Sequence, residues 1–171
     1  IASHWLYKSG NKSDTSPQVK ARRWVANLLE MSESYDSFVQ VFSSVINNRA
    51  ALKRAESQVV ADLAKEMATA LKLKDDTVQA IYYAALLHQL GKISYPDALL
   101  SKSEDQMNKE EKAQYQEYPL IGEAALTAIN GLERSARIIR QHTELYNGSG
   151  YPDKASHQKT LSGARIIRAV R

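Results

Sequence analysis

Two histidines in this 171-residue chain stand in settings where chemistry could be done. His88 lies in the run Leu86-Leu87-His88-Gln89-Leu90-Gly91-Lys92-Ile93. His142 opens the run His142-Thr143-Glu144-Leu145-Tyr146-Asn147-Gly148-Ser149-Gly150-Tyr151-Pro152. Imidazole nitrogens and carboxylate oxygens such as those of Glu144 suit transition-metal ions. Lys92, Arg140 and Arg171 carry ammonium and guanidinium groups that pair with phosphate oxygens. Each of these residues also has a plainer reading. A histidine at the end of an apolar helix is commonly a packed, hydrogen-bonded residue, and Lys92 can simply pack the turn after its helix. Gly148 and Gly150 permit positive φ and tight turning, and Pro152 fixes the exit, so backbone geometry alone accounts for that loop. His4 and His157 carry no motif and read as surface residues. The absence of cysteine excludes disulfides, thiolate metal sites and cysteine nucleophiles.

The elements that must position these residues are helices. Residues 8–16 form a polar, small-residue linker, and Pro17 suits a first helical turn with Ser16 as N-cap. Ala21, Trp24, Val25, Leu28 and Leu29 then repeat at offsets 0, 3, 4, 7 and 8, as do Phe38, Val41, Phe42, Val45 and Ile46. Two amphipathic helices therefore precede the motif region, with Trp24, Phe38 and Phe42 expected in a core. A third stripe is Val60, Leu63, Ala64, Met67, Ala68 and Leu71. A fourth is Val78, Ile81, Tyr82, Ala85 and Leu86, with Asp75 and Asp76 well placed against the helix dipole. After Lys92, Pro96 and the polar run 101–108 predict a loop. Helices are expected from Lys109, from Pro119 to about Asn130, over Leu132–His142 and from Leu161 onward, with a tight turn at residues 147–150. No period-2 strand is evident, so the fold class is all-α.

Bulk properties narrow the function classes. The hydrophobic and charged fractions, 43% and 25%, are those of an ordinary soluble domain. The net charge of +4 is interleaved with acids instead of forming one basic stripe, so nucleic-acid binding is not expected. No apolar run approaches the roughly 18 residues that would span a bilayer. A cytoplasmic location is expected. The chain starts at Ile1 and stops within a helical run, which reads as a piece of a longer protein.

Two further segments complete a pattern: Glu117-Tyr118-Pro119-Leu120-Ile121-Gly122, and Ala164-Arg165-Ile166-Ile167. With the two histidine segments they resemble, in order and spacing, the LLHDIGKI, THPEIG, HHE…DGSGYP and ARIV segments of the HD-GYP family of HD phosphohydrolases. The resemblance covers roughly residues 50–171. It implies an HD-type helical bundle over 48–171, preceded at 1–47 by the linker and the two amphipathic helices, with the family's closing helices beyond the chain. In that family, His and Asp side chains hold two or three metal ions, and a metal-activated hydroxide attacks a phosphorus of cyclic di-GMP.

The chain departs from the family at the ligand positions. Gln89 stands for the bridging Asp, Tyr118 for the His of THP, Thr143 for the second His of the pair and Arg171 for a downstream Asp. His88 and His142 remain, and Glu56 aligns with an upstream His. Two neutral imidazoles cannot hold a dinuclear centre, and Arg171 puts a cation where an anion belongs. The resemblance therefore implies a catalytically degenerate signalling module, part of a bacterial response regulator, with no cofactor. Lys92 and Arg140 are its candidate phosphate-binding residues, for cyclic di-GMP bound without hydrolysis. Gly148, Gly150, Tyr151 and Pro152 form its interaction loop, where Tyr151 and Tyr146 offer an aromatic surface to GGDEF-domain or other signalling partners. A homodimer is compatible with the first two helices. The enzyme alternative is a cyclic di-GMP phosphodiesterase whose reduced site holds iron or manganese through Glu56, His88, Gln89 and His142, with Glu144 nearby. A third class is an oligomerising scaffold related to HDOD-like domains.

Overall fold

The computed structural model describes residues 35–46, 48 and 56–171, with only the backbone of Glu56. The helix predicted around Trp24 and the first linker lie outside the described residues. The chain divides into two compact units, Ile1–Gln40 and Val41–Arg171. Residues 35–46 are helical, and every other described element belongs to the second unit.

That unit contains helices and no strand among the described residues, as the sequence pattern requires. Helix α1 (Glu56–Ala70) packs on α2 (Asp75–Leu87). Helix α2 is the central element, because α6 (Glu133–Gln141) and α7 (Ser162–Val170) also pack against it. Its buried residues run from Val78 to Leu87 and leave little of the helix in water. The Ser135 hydroxyl donates to the Ala80 carbonyl at 3.0 Å, which ties α6 to α2 without leaving a buried polar group unsatisfied. The intervening chain forms a 3-10 turn (Leu90–Ser94), a short α3 (Asp97–Leu100), α4 (Lys109–Tyr115) and α5 (Tyr118–Thr127).

Local sequence explains the starts. Asn108 caps α4, accepting from the Glu111 amide at 2.8 Å, while the Glu111 carboxylate accepts from the Asn108 amide at 3.1 Å. Pro119 sits in the first turn of α5, where its missing N–H costs nothing. The segment expected as a loop after Lys92 is instead a string of short turns, including a second capped 3-10 turn (Glu104–Gln106) begun by Ser103. Each turn satisfies its own backbone while Tyr95, Leu99 and Met107 point into one cluster with Tyr118.

The outer stripes need correction. On α1 the buried positions are Ser57, Val60, Ala61, Ala64 and Ala68, while Val59, Leu63, Met67 and Leu71 are exposed. The small alanines give α1 its inner face, and the larger residues fall on the other side of the helix. Val41, Phe42 and Val45, expected to face a core, are exposed as well, whereas Val39 and Ile46 are buried.

Of the glycine positions, Gly91 makes the closest backbone approach, between the 3-10 turn and α5. A Cβ at Gly91 would lie 1.9 Å from the Tyr118 carbonyl oxygen, a backbone atom that cannot move aside. At Gly122 the nearest obstacle is a side-chain methyl of Ile139 at 3.0 Å. Gly91→Ala is therefore expected to cost about 3 kcal/mol or more by overpacking, and Gly122→Ala clearly less. Urea unfolding of both variants checks this, and equal midpoints would contradict the close approach as the controlling constraint.

Candidate functional site

Two helix ends deliver the two histidines. His88 caps the C-terminus of α2 and His142 that of α6. Each turns its Nδ1 onto the carbonyl three residues back, His88 to Ala85 at 2.7 Å and His142 to Ile139 at 2.5 Å. A carbonyl only accepts, so each Nδ1 carries the proton and each Nε2 presents a lone pair. The rings meet edge to face with centroids 5.5 Å apart.

The two Nε2 atoms then differ. The Tyr118 hydroxyl donates to His142 Nε2 at 3.0 Å, and Arg171 Nη1 donates to the Tyr118 oxygen at 3.2 Å. This gives a directed chain, from guanidinium to phenol to imidazole to the Ile139 carbonyl. His88 Nε2 is buried and has no hydrogen-bond partner. Around the pair stands an aromatic wall. Lys92, itself buried, holds its Nζ 4.6 Å from the Tyr118 ring centre and 5.0 Å from that of Tyr115.

Electrostatics follows from this arrangement. Burial, with Arg171 and Lys92 nearby, pushes His88 down to about 3. Burial is also the main reason His142 lies well below the ordinary histidine value, with the cations adding to it. Burial raises Tyr118, while Arg171 works against that rise. Both imidazoles are therefore neutral at physiological pH.

The other residues singled out in the sequence fall around this centre. Gln89 is buried beside His88 in the chain. Thr143 donates its hydroxyl to the Tyr151 carbonyl at 2.5 Å. The Glu144 carboxylate accepts from the amides of Asp153 at 2.6 Å and Ala155 at 3.0 Å, so it anchors the loop and does not face the histidines with free oxygens. Arg140, a candidate phosphate partner, is already held. It makes a two-point pair with Asp153 (2.7 and 2.6 Å) and contacts Glu123 at 2.5 Å, so an incoming anion would compete with two carboxylates.

In the loop, Gly148 has the expected positive φ of 77°. Gly150 is needed for a different reason, since a Cβ there would meet the Leu145 amide nitrogen at 2.4 Å. The Tyr151–Pro152 peptide is cis. Tyr151 turns inward onto Tyr118, with ring centres 6.3 Å apart. Of the two tyrosines expected to share a surface, Tyr146 is the one that faces solvent, at 64% exposure. It meets His157 edge to face at 4.8 Å. His157 is exposed as expected, while His4 and the Glu56 side chain lie outside the described residues.

Among the described residues no group of three or more His, Asp or Glu side chains is placed to hold a metal ion. A cation at this centre would meet two imidazoles, one of them already accepting from a phenol, with a guanidinium and an ammonium close by. These residues do not fit a dinuclear metal centre, which needs carboxylates to offset its charge.

A family model described as HD domain matches residues 40–171. The chain belongs to the HD domain family. It is homologous to HD-GYP proteins. It is 30% identical over 152 residues to the cyclic di-GMP phosphodiesterase response regulator RpfG of Xanthomonas campestris pv. campestris, covering 85% of this chain and 39% of that one. It is 27% identical over 163 residues to 3'3'-cGAMP-specific phosphodiesterase 1 of Vibrio cholerae, covering 95% and 35%. The chain thus spans under two fifths of the length of these relatives. The solved structure of Bd1817, a HDG"Y"P protein from Bdellovibrio bacteriovorus, superposes with a TM-score of 0.64 at 20% identity. That match covers 98% of this chain and 62% of the other, and it shows the all-α HD fold. Among the described residues no helix is long and apolar enough to cross a membrane.

The site's composition was legible in the motifs, but its partners were not. Tyr115 and the cations Lys112 and Arg168 near Arg171 carry no spacing signal, and only the packing of α4 and α7 brings them in.

Two outcomes follow. A histidine with a depressed folded pKa contributes stability above its unfolded value of about 6.5, and that stability is lost as pH falls toward the folded value. Unfolding free energy should therefore drop between pH 6.5 and 5, by up to about 1.4 kcal/mol per pH unit for each histidine. His88→Leu should reduce that slope by one proton's worth, and an unchanged slope in urea titrations would contradict the neutral buried state. Tyr118→Phe removes the link between Arg171 and His142 and leaves a buried Nε2 unpaired. It should cost about 1–3 kcal/mol, and a variant as stable as the parent would show that the chain carries no weight.

Proposed function

We propose that this chain is a catalytically degenerate HD-GYP-type signalling domain, acting through protein contacts or through nucleotide binding without hydrolysis. One observation carries the reading: the Tyr118 phenol, backed by the Arg171 guanidinium, donates to His142 Nε2. A donor stands where a metal ligand must offer its lone pair. Gln89 and Thr143 supply no charge in place of the acidic and imidazole ligands of the family pattern. One relative's name supports the signalling half of this reading only, since RpfG is a cyclic di-GMP phosphodiesterase response regulator. The proposed role in this chain is that of a relay, with residues 1–47 as its connector and the loop at Gly148, Gly150, Tyr151 and Pro152 as its contact with GGDEF-domain or other signalling proteins. Lys92 is the proposed internal cation of the nucleotide-binding form.

A phosphodiesterase with a rebuilt site is the competing reading. It is favoured by the unpartnered, buried His88 Nε2 and by the activities named for the relatives. The test is metal analysis of protein purified without added metal, paired with a cyclic di-GMP turnover assay in iron and in manganese. The expected result is substoichiometric metal and no turnover above the buffer rate. Stoichiometric metal with turnover abolished by His88→Ala would sink the proposal and establish the competing reading.

A further inference from the structure

Beside the histidine pair, on the far side of Arg171, lies an open cavity of about 280 Å³. Its charged lining is Lys112, Arg168 and Arg171 against the single carboxylate of Glu104, a surplus of two positive charges. Neither Lys112 nor Arg168 pairs with a carboxylate among the described residues. Two of the lining hydroxyls are already committed. Ser149 donates to Asn147 at 2.7 Å and Thr143 to the Tyr151 carbonyl. What remains to greet a guest is a set of cationic donors together with the Gln116 amide and the Tyr151 side chain, and such a set selects an anion with several acceptor oxygens. The volume sits just below the roughly 300–1,000 Å³ of ordinary small-molecule pockets. It suits one phosphate-bearing unit and not a cyclic dinucleotide.

We infer that this cavity binds a small phosphomonoester, with Arg168, Lys112 and Arg171 on its phosphate group. A phosphomonoester is a dianion near neutral pH, which matches the surplus charge, and its tetrahedral oxygens can each meet a separate cation. Arg171 is the residue that connects this cavity to the interior, because the same guanidinium donates to Tyr118. A phosphate that draws Arg171 outward loosens the guanidinium–phenol–imidazole chain, so occupancy is read by the buried pair. The inference rests on the non-hydrolytic nucleotide binding proposed above and names the ligand class for it.

The test is isothermal titration calorimetry in EDTA, using 5′-AMP, 5′-GMP, inorganic phosphate and cyclic di-GMP as probes. Lys112 and Arg168 are exposed, so Lys112→Ala and Arg168→Ala should fold normally, with Arg165→Ala as the exposed control outside the cavity. The mononucleotides should bind, and Kd should rise at least tenfold in each cavity variant and less than twofold in the control. Displacement by equimolar inorganic phosphate assigns recognition to the phosphate alone. Displacement only at large excess adds the rest of the nucleotide, and both results support the site. No binding to the parent protein, or binding that the two cavity variants leave unchanged, overturns it. Cyclic di-GMP binding tighter than either mononucleotide also overturns it, because the cavity would then not be the place of recognition. The readout needs no metal and no turnover. Phosphodiesterase activity in iron or manganese would therefore defeat the degenerate reading, while unchanged or absent binding in the calorimeter defeats the cavity site, so the two failures are told apart.

Discussion

The approach of the Gly91 turn to the backbone of Tyr118 is the constraint on which the rest of the site depends. Because no side chain fits between them, the turn after α2 and the first turn of α5 are pressed together. That contact places the Tyr118 ring over the end of α2, within reach of His142 on α6 and of Lys92 on the turn itself. Three elements distant in sequence thus meet at one phenol. A larger residue at 91 would separate them and open both the hydrogen-bond chain and the cation–aromatic contact at once.

The same packing decides the electrostatics. A buried imidazole is neutral unless an anion stabilises its charge, and the groups brought nearest here are cations. Arg171 and Lys92 therefore add to what burial already does to both histidines. The two cations are tolerated for different reasons. Lys92 lies against the faces of two tyrosine rings. Arg171 is exposed overall and only its guanidinium reaches inward to a phenol oxygen that accepts from it. The centre is organised by neutral acceptors facing positive donors, which is the reverse of the arrangement a multivalent cation requires.

Much of this was readable from the sequence, and the failures have physical causes. The helix class, the ends near His88 and His142 and the helix start at Lys109 follow from local sequence signals. The four family segments carried the HD assignment. Helix faces were read less well. The stripe on α1 joins Val60 with Leu63 and Met67, but alanine packs closer than leucine, so the helix turns its small residues to the core. Partners were invisible where they depend on tertiary placement. Nothing around Arg140 in sequence announces Asp153 and Glu123 as its holders, and nothing around Tyr151 announces that it turns onto Tyr118. Glu144 beside His142 looked like a spare metal ligand, yet its carboxylate serves two backbone amides of the following loop.

That last assignment bears on what an intact loop means. Glu144 gathers the amides of Asp153 and Ala155, Arg140 clamps Asp153 from outside, and Thr143 holds the Tyr151 carbonyl. Gly150 lets the chain pass against residues 143–145. Apart from the side-chain pair of Arg140 with Asp153, these restraints act on the backbone, and none involves His88 Nε2 or a lone pair of His142. Selection for a folded domain would therefore keep the Gly148–Pro152 segment whether or not the histidines ever met a metal. The motif testifies to the fold. Only the groups facing the two Nε2 atoms testify to the chemistry, and there a phenol backed by a guanidinium occupies one while the other stands unpaired.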